Sequence, residues 1–239
     1  MKKYIAAILA ALLALSLCAC GPATQEPAAT TTQPTETQPT EAMQTPEEYE
    51  KLVEAVVTAF PNVSALEEYP GLSCMYDGHS SLTELGYAIA DLEGDGTPEL
   101  LFKSLESPFV YDVFTMVDGE LTHLLSSGEF DSYRLYEEGY VEYQWSSEEG
   151  VSGTDYFRVE NGSLVLFDRI TSDAPHAYSL GLIDSLDEPD TDKCFFRSTS
   201  AEKADYVSLT MQEAFAAQQA FKEDHFQLLP QFTPLSDYQ

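Results

Sequence analysis

Basic residues are scarce in this chain: 11 Lys and Arg stand against 41 Asp and Glu, a formal net charge of −30 at pH 7. So acidic a surface repels phosphate backbones and anionic headgroups, which excludes nucleic acid as a partner. Cysteine is sparser still. Of four, Cys18 and Cys20 sit at the end of the N-terminal apolar stretch and just past it, leaving Cys74 and Cys194 for the rest of the chain. Outside the cytoplasm such a pair can oxidise, so Cys74 and Cys194 are a candidate disulfide, although their sequence separation says nothing about distance. The four histidines, His79, His123, His176 and His225, never fall at i,i+4, which gives a zinc site little support. No glycine-rich phosphate loop appears, and Gly78-His79-Ser80-Ser81 lacks the second glycine of a nucleophile elbow. Carboxylate pairs nominate no glycosidase site either, because among 41 acids such pairs arise everywhere by chance.

A long hydrophobic run is missing too. The nearest approach, Tyr4–Ala19 behind the basic Met1-Lys2-Lys3, falls short of the roughly 20 residues a spanning helix needs and suits a signal-peptide core. It ends in Leu17-Cys18-Ala19-Cys20-Gly21. That ending resembles the bacterial lipobox, with Leu at −3, a small residue at −1 and the cysteine that is acylated before cleavage. The resemblance implies a signal peptide over 1–19, lipidation at Cys20, and a protein anchored by its lipid to the outer face of the cytoplasmic membrane. Cys18 is the poorer acceptor, since Ser16 and Leu17 would then stand where Leu and Ala are wanted. Residues 20–44 are Thr-, Pro-, Ala- and Gln-rich with almost no large apolar side chain, a composition that cannot offset its ordering entropy and reads as a tether. What remains, 45–239, is long enough for a single extracytoplasmic globular domain with its own core.

That domain reads as mainly β with terminal helices, an α+β chain. Thr45-Pro46-Glu47-Glu48 has the form of a capped helix start, with Leu52, Val53, Val56, Val57 and Phe60 on one face before Pro61. Thr210-Met211-Gln212-Glu213 repeats the capping-box pattern near the other end, ahead of a stripe of Met211, Ala214, Phe215 and Phe221. Between them, Asp118-Gly119, Glu138-Gly139 and Asn161-Gly162 each separate runs rich in Phe, Tyr, Val and Leu, the hairpin signature. Their regular recurrence predicts an antiparallel β-meander or an open propeller-like sheet built from hairpins. Residues 172–193, with Pro175, Pro189 and several Asp, read as loop. Tyr133, Tyr136, Tyr140, Tyr143 and the lone Trp145 could form a sugar-stacking platform, but alternation places Tyr143 and Trp145 with Val141, which favours core packing.

The stretch YAIADLEGDGTPELLF, 87–102, carries the clearest chemistry. Asp91, Glu93, Asp95 and Glu99 occupy alternate positions of a loop, Thr97 offers a carbonyl, and Gly96 permits the sharp bend. Calcium takes six to eight such oxygens at about 2.3–2.6 Å. Phe102 stands where an EF-hand requires an acidic residue, so an EF-hand is excluded. The pattern instead resembles the calcium loop of FG-GAP and VCBS repeats, a strand–DxNGDGxxD–strand hairpin, with Glu in place of the usual Asp or Asn at 93 and of Asp at 99. The resemblance implies calcium held by Asp91, Glu93, Asp95, Thr97 and Glu99; the competing reading is a charged turn. More loosely, the lipobox, tether, single acidic loop and Tyr-rich meander are similar to surface lipoproteins of Gram-positive bacteria. Three function classes follow. The first is a non-catalytic domain that binds an extracytoplasmic protein or glycan. The second is an extracytoplasmic enzyme with an acidic active site. The third is a structural component of an envelope complex.

Overall fold

The computed structural model describes residues 45–238. The expected signal peptide, Cys20 and the tether lie outside the described residues. Helix α1, Glu47–Ala59, begins one residue later than the capping pattern predicts. Its N-cap is Pro46, held extended, and no side chain caps the helix, so Thr45 stands too early to reach the first amides. Glu47, Glu48 and Glu50 in the first turn complement the positive end of the helix instead. The predicted stripe is buried at Leu52, Val53 and Val56, and Tyr49 joins it.

The strands follow as a meander: β1 (Leu85–Ala90), β2 (Glu99–Ser104), β3 (Val110–Val117), β4 (Glu120–Ser126), β5 (Asp131–Leu135), β6 (Tyr140–Ser146), β7 (Ser152–Glu160) and β8 (Ser163–Ser172). Short strands β9 (Phe195–Ser198), β10 (Val207–Leu209) and β11 (Thr233–Pro234), which sequence reading missed, extend it at both ends. All pairs are antiparallel, in the order β10-β9-β8-β7-β6-β5-β3-β2-β1-β11, with β4 beside β3. The expected antiparallel meander is what forms. Asp118-Gly119 and Asn161-Gly162 make two-residue turns with positive φ at both positions, which the right-handed twist of hairpin strands requires.

Only Val110 and Tyr133 join β3 to β5, and the open sheet curls at this narrow junction. A Cβ on Gly162, in the β7–β8 turn, would stand 2.2 Å from Val117 Cγ2 at the end of β3, although β5 and β6 intervene in the sheet order. The inner face of the curl is filled by Leu101, Val113 and Leu125 from one half and Leu135, Val141 and Val159 from the other. The outer face of the first half is covered by α1, and that of the second by α3 (Met211–Asp224) through Ala214 and Phe221. Both halves of the predicted capping box at Thr210 and Glu213 are present. Phe215, expected in the buried stripe, is 56% exposed. The segment read as loop, 172–193, contains a short helix, α2 (Ala174–Ser179), capped by Asp173 and carrying Pro at its start.

Cys74 and Cys194 are both free thiols, so the candidate disulfide is not formed. Cys74 is exposed and Cys194 is buried in a separate small core. The 3₁₀ turn Cys74–Gly78 packs by Tyr76 under α1, whereas Cys194 is buried beside Ala177, Ile183 and Phe196.

Candidate functional site

The acidic loop spans 91–98, between β1 and β2, and is wound around Asp91. Asp91 Oδ1 accepts the N–H groups of Gly94 at 2.7 Å and Asp95 at 3.1 Å, and Oδ2 accepts that of Gly96 at 2.8 Å. Gly94 and Gly96 both take positive φ, which this tight path requires and which a side chain would strain. Asp95 Oδ1 in turn accepts the Thr97 N–H at 2.7 Å. The far end of the loop is fixed differently. Glu99 opens β2 on the inner face of the curl and is 1% exposed. Its Oε2 accepts the Leu92 N–H at 2.8 Å and its Oε1 accepts the Thr115 hydroxyl at 2.9 Å. Tyr49 of α1 donates its hydroxyl to the Pro98 carbonyl at 2.7 Å, tying the same end to the outer layer.

Charge accumulates here. Burial pushes the Glu99 carboxyl up to about 7; its two hydrogen bonds oppose the shift, and the charges of Asp91 and Glu93 add to it. Partial burial, then the carboxylates of Asp95 and Asp91, push Glu93 up as well, with Arg158 opposing. The curl of the sheet brings Glu93 and Asp95 to a cleft of about 360 Å³ shared with Glu138, Arg158, Glu160 and Asn161. The donor chemistry therefore suits a hard cation, and Asp95, Glu93 and Glu99 keep carboxylate lone pairs beyond their hydrogen bonds. Among the described residues, however, no three acidic, histidine or cysteine side chains are gathered at metal-ligand spacing. A cation would have to draw the loop carboxylates inward.

Sequence reading missed three polar knots. Asp155 on β7 is 1% exposed and accepts from Trp145 Nε1 at 3.1 Å, from Arg169 Nε at 2.7 Å and from a second Arg169 nitrogen. Its place opposite Tyr143 and Arg169 follows directly from the antiparallel register. Asp112 on β3 is buried and lies 2.7 Å from His123 Nε2, while its other oxygen accepts the Ser73 N–H at 3.2 Å. His79 sits between Glu84 and the Tyr111 hydroxyl, 2.9 Å from each. Alternation signals Asp112 and Asp155, which lie on buried sides of aromatic-rich strands, but not Glu84, which sits in a 3₁₀ turn. The tyrosines pack rather than forming an open platform: Tyr143 stacks on Tyr133 at 4.5 Å, and Trp145 lies half-buried across Gly153.

Compared with protein-family models, curated proteins and solved structures, the chain gives no match.

Proposed function

We propose that the chain is a membrane-anchored surface lipoprotein, tethered through Cys20 at the outer face of the cytoplasmic membrane. Its domain from residue 45 onward is a non-catalytic binding module stabilised by calcium. Asp91, Glu93, Asp95 and Glu99 would supply carboxylate oxygens to the ion and Thr97 its carbonyl. The observation that carries this reading is the construction of the loop. Its two acidic ends are held in place, Asp91 by three amides of the loop itself and Glu99 by the Leu92 amide and by Thr115 of β3. Glu93 is pushed up first by partial burial and then by the neighbouring carboxylates of Asp95 and Asp91. A bound cation would relieve the repulsion among these carboxylates and add stability in proportion to ln(1 + [L]/Kd).

Extracellular modules bind calcium with Kd of about 0.1–1 mM, so 1 mM calcium should add roughly 0.4–1.4 kcal/mol. For a domain of this size that is a rise of about one to four degrees in Tm. Magnesium is the control, because it demands a tighter octahedral shell and dehydrates reluctantly. Asp91→Ala and Asp95→Ala should each abolish the calcium-specific part. Equal shifts with both ions, unchanged in both variants, would reduce the loop to an acidic turn. Metabolic labelling with a fatty-acid analogue tests the anchor separately: the wild type should label and Cys20→Ala should not.

A further inference from the structure

The groove between α3 and the adjoining ends of β6–β9 differs in kind from the rest of this surface. It holds about 450 Å³, within the range of roughly 300–1,000 Å³ common to small-molecule sites. Gln144, Ser152, Ser172, Phe195, Phe215 and Gln218 line it above the level of Trp145 and Gly153. No lining residue is ionisable, in a chain with 41 acidic and 11 basic side chains. Resting on the binding-module reading above, we infer that this groove is its ligand site and that the ligand is a neutral saccharide.

Three features argue for that class. Polar groups are fixed in place and uncharged. Gln218 Nε2 donates to Thr154 Oγ1 at 3.1 Å, which orients its amide and leaves the oxygen to accept, and the Gln144 amide is held likewise by Glu142. Ser152 and Ser172 face each other across the β7–β8 register and add hydroxyls that donate and accept. An apolar face is available as well. Phe215, 56% exposed, meets Phe195 edge-on at 6.1 Å, and such rings suit the C–H face of a sugar. Competing ligands fare worse. An anion meets the field of the whole chain with no cation in the groove to compensate, and a cation finds no carboxylate there. An extended peptide needs an unpaired strand edge, yet β6, β7, β8 and β9 are each paired on both sides.

Trp145, the only tryptophan, donates its indole N–H to Asp155 and lies over Gly153, across the sheet from Gln144 and Thr154, so binding is read by isothermal titration calorimetry rather than by emission. The full chain, in lipid nanodiscs free of sugar detergents, would be titrated with cellotetraose, maltotetraose and tetra-N-acetylchitotetraose, with tetragalacturonate as the anionic counterpart. At least one neutral tetrasaccharide should give a saturable heat of binding, and tetragalacturonate should give none. Phe215→Ala and Gln218→Ala should each weaken binding about tenfold or more, with circular dichroism and Tm retained, because Phe215 projects from the fold. The inference is overturned if no neutral sugar gives a saturable heat of binding, if both variants bind as the wild type does, or if tetragalacturonate binds equally well. Capture of a protein partner by a chain that ignores all the sugars would likewise overturn the saccharide and leave the binding-module reading standing. The calcium and labelling measurements fail or succeed independently of this titration.

Discussion

Replacing Glu99 by Gln should stabilise the protein at alkaline pH and leave it unchanged in acid. Burial holds the Glu99 carboxyl at about 7 in the fold, whereas an unfolded chain leaves glutamate near ~4.3. Between those values the native state binds the additional proton. The stabilising contribution is therefore complete below about pH 4.3 and is lost as pH rises through about 7. Each unit of separation is worth about 1.4 kcal/mol. Fully desolvated, the ionised group would cost about 4 kcal/mol at pH 8, and solvent reaching the loop lowers that to about 1–2 kcal/mol. Glutamine retains both contacts. Its oxygen can accept from Leu92 N–H, and its amide can donate to the Thr115 hydroxyl. With a chelator at pH 8, Glu99→Gln should melt about 2–8 °C above the wild type, and the two curves should converge near about pH 4. Scanning calorimetry across that range decides the matter. Parallel pH profiles, or a less stable variant at pH 8, would refute the claim that an uncompensated carboxylate is buried at this corner.

Two further substitutions test the packing that positions the sites. Gly153→Ala would place a Cβ 2.8 Å from Trp145 Cζ2 and 3.1 Å from the Ile170 carbonyl. Displacing the indole should cost roughly 1–3 kcal/mol and move Trp145 emission; unchanged emission and Tm would show that the ring does not lie there. Tyr49→Phe removes the hydroxyl that meets the buried Pro98 carbonyl at 2.7 Å. It should lower stability by about 1–2 kcal/mol with an unchanged denaturant slope, and an unshifted midpoint would show that water replaces the bond.

Features specified by a few consecutive residues are legible in the amino-acid sequence itself. Asp118-Gly119 and Asn161-Gly162 demand positive φ whatever surrounds them, so the hairpins and the meander follow from local sterics. The Thr210–Glu213 box is equally local: one side chain reaches the amide three residues on, and another reaches back. The acidic loop belongs here too, because Asp91 bonds only to amides within five residues of itself. Where a rule of the same kind failed, at Thr45, the proline between it and the helix took the capping position in extended geometry.

Contacts between distant residues were settled by tertiary structure alone. Periodicity assigned Phe215 to the buried face of α3, but the sheet beneath is filled by Ala214 and Phe221 and leaves Phe215 against the groove. Oxidation of Cys74 and Cys194 depended on a distance that no spacing encodes, and the fold leaves Cys74 exposed while burying Cys194 beside Ala177, Ile183 and Phe196. The curl at Val110 and Tyr133 decides most of all. It brings the 91–98 loop beside the 158–161 turn and so turns an acidic hairpin into one wall of a cleft. Alternation names the face on which a residue lies. What that face meets depends on how strongly the sheet bends, and bending is set by apolar contacts summed over the whole inner surface, to which no single stretch of sequence holds the key.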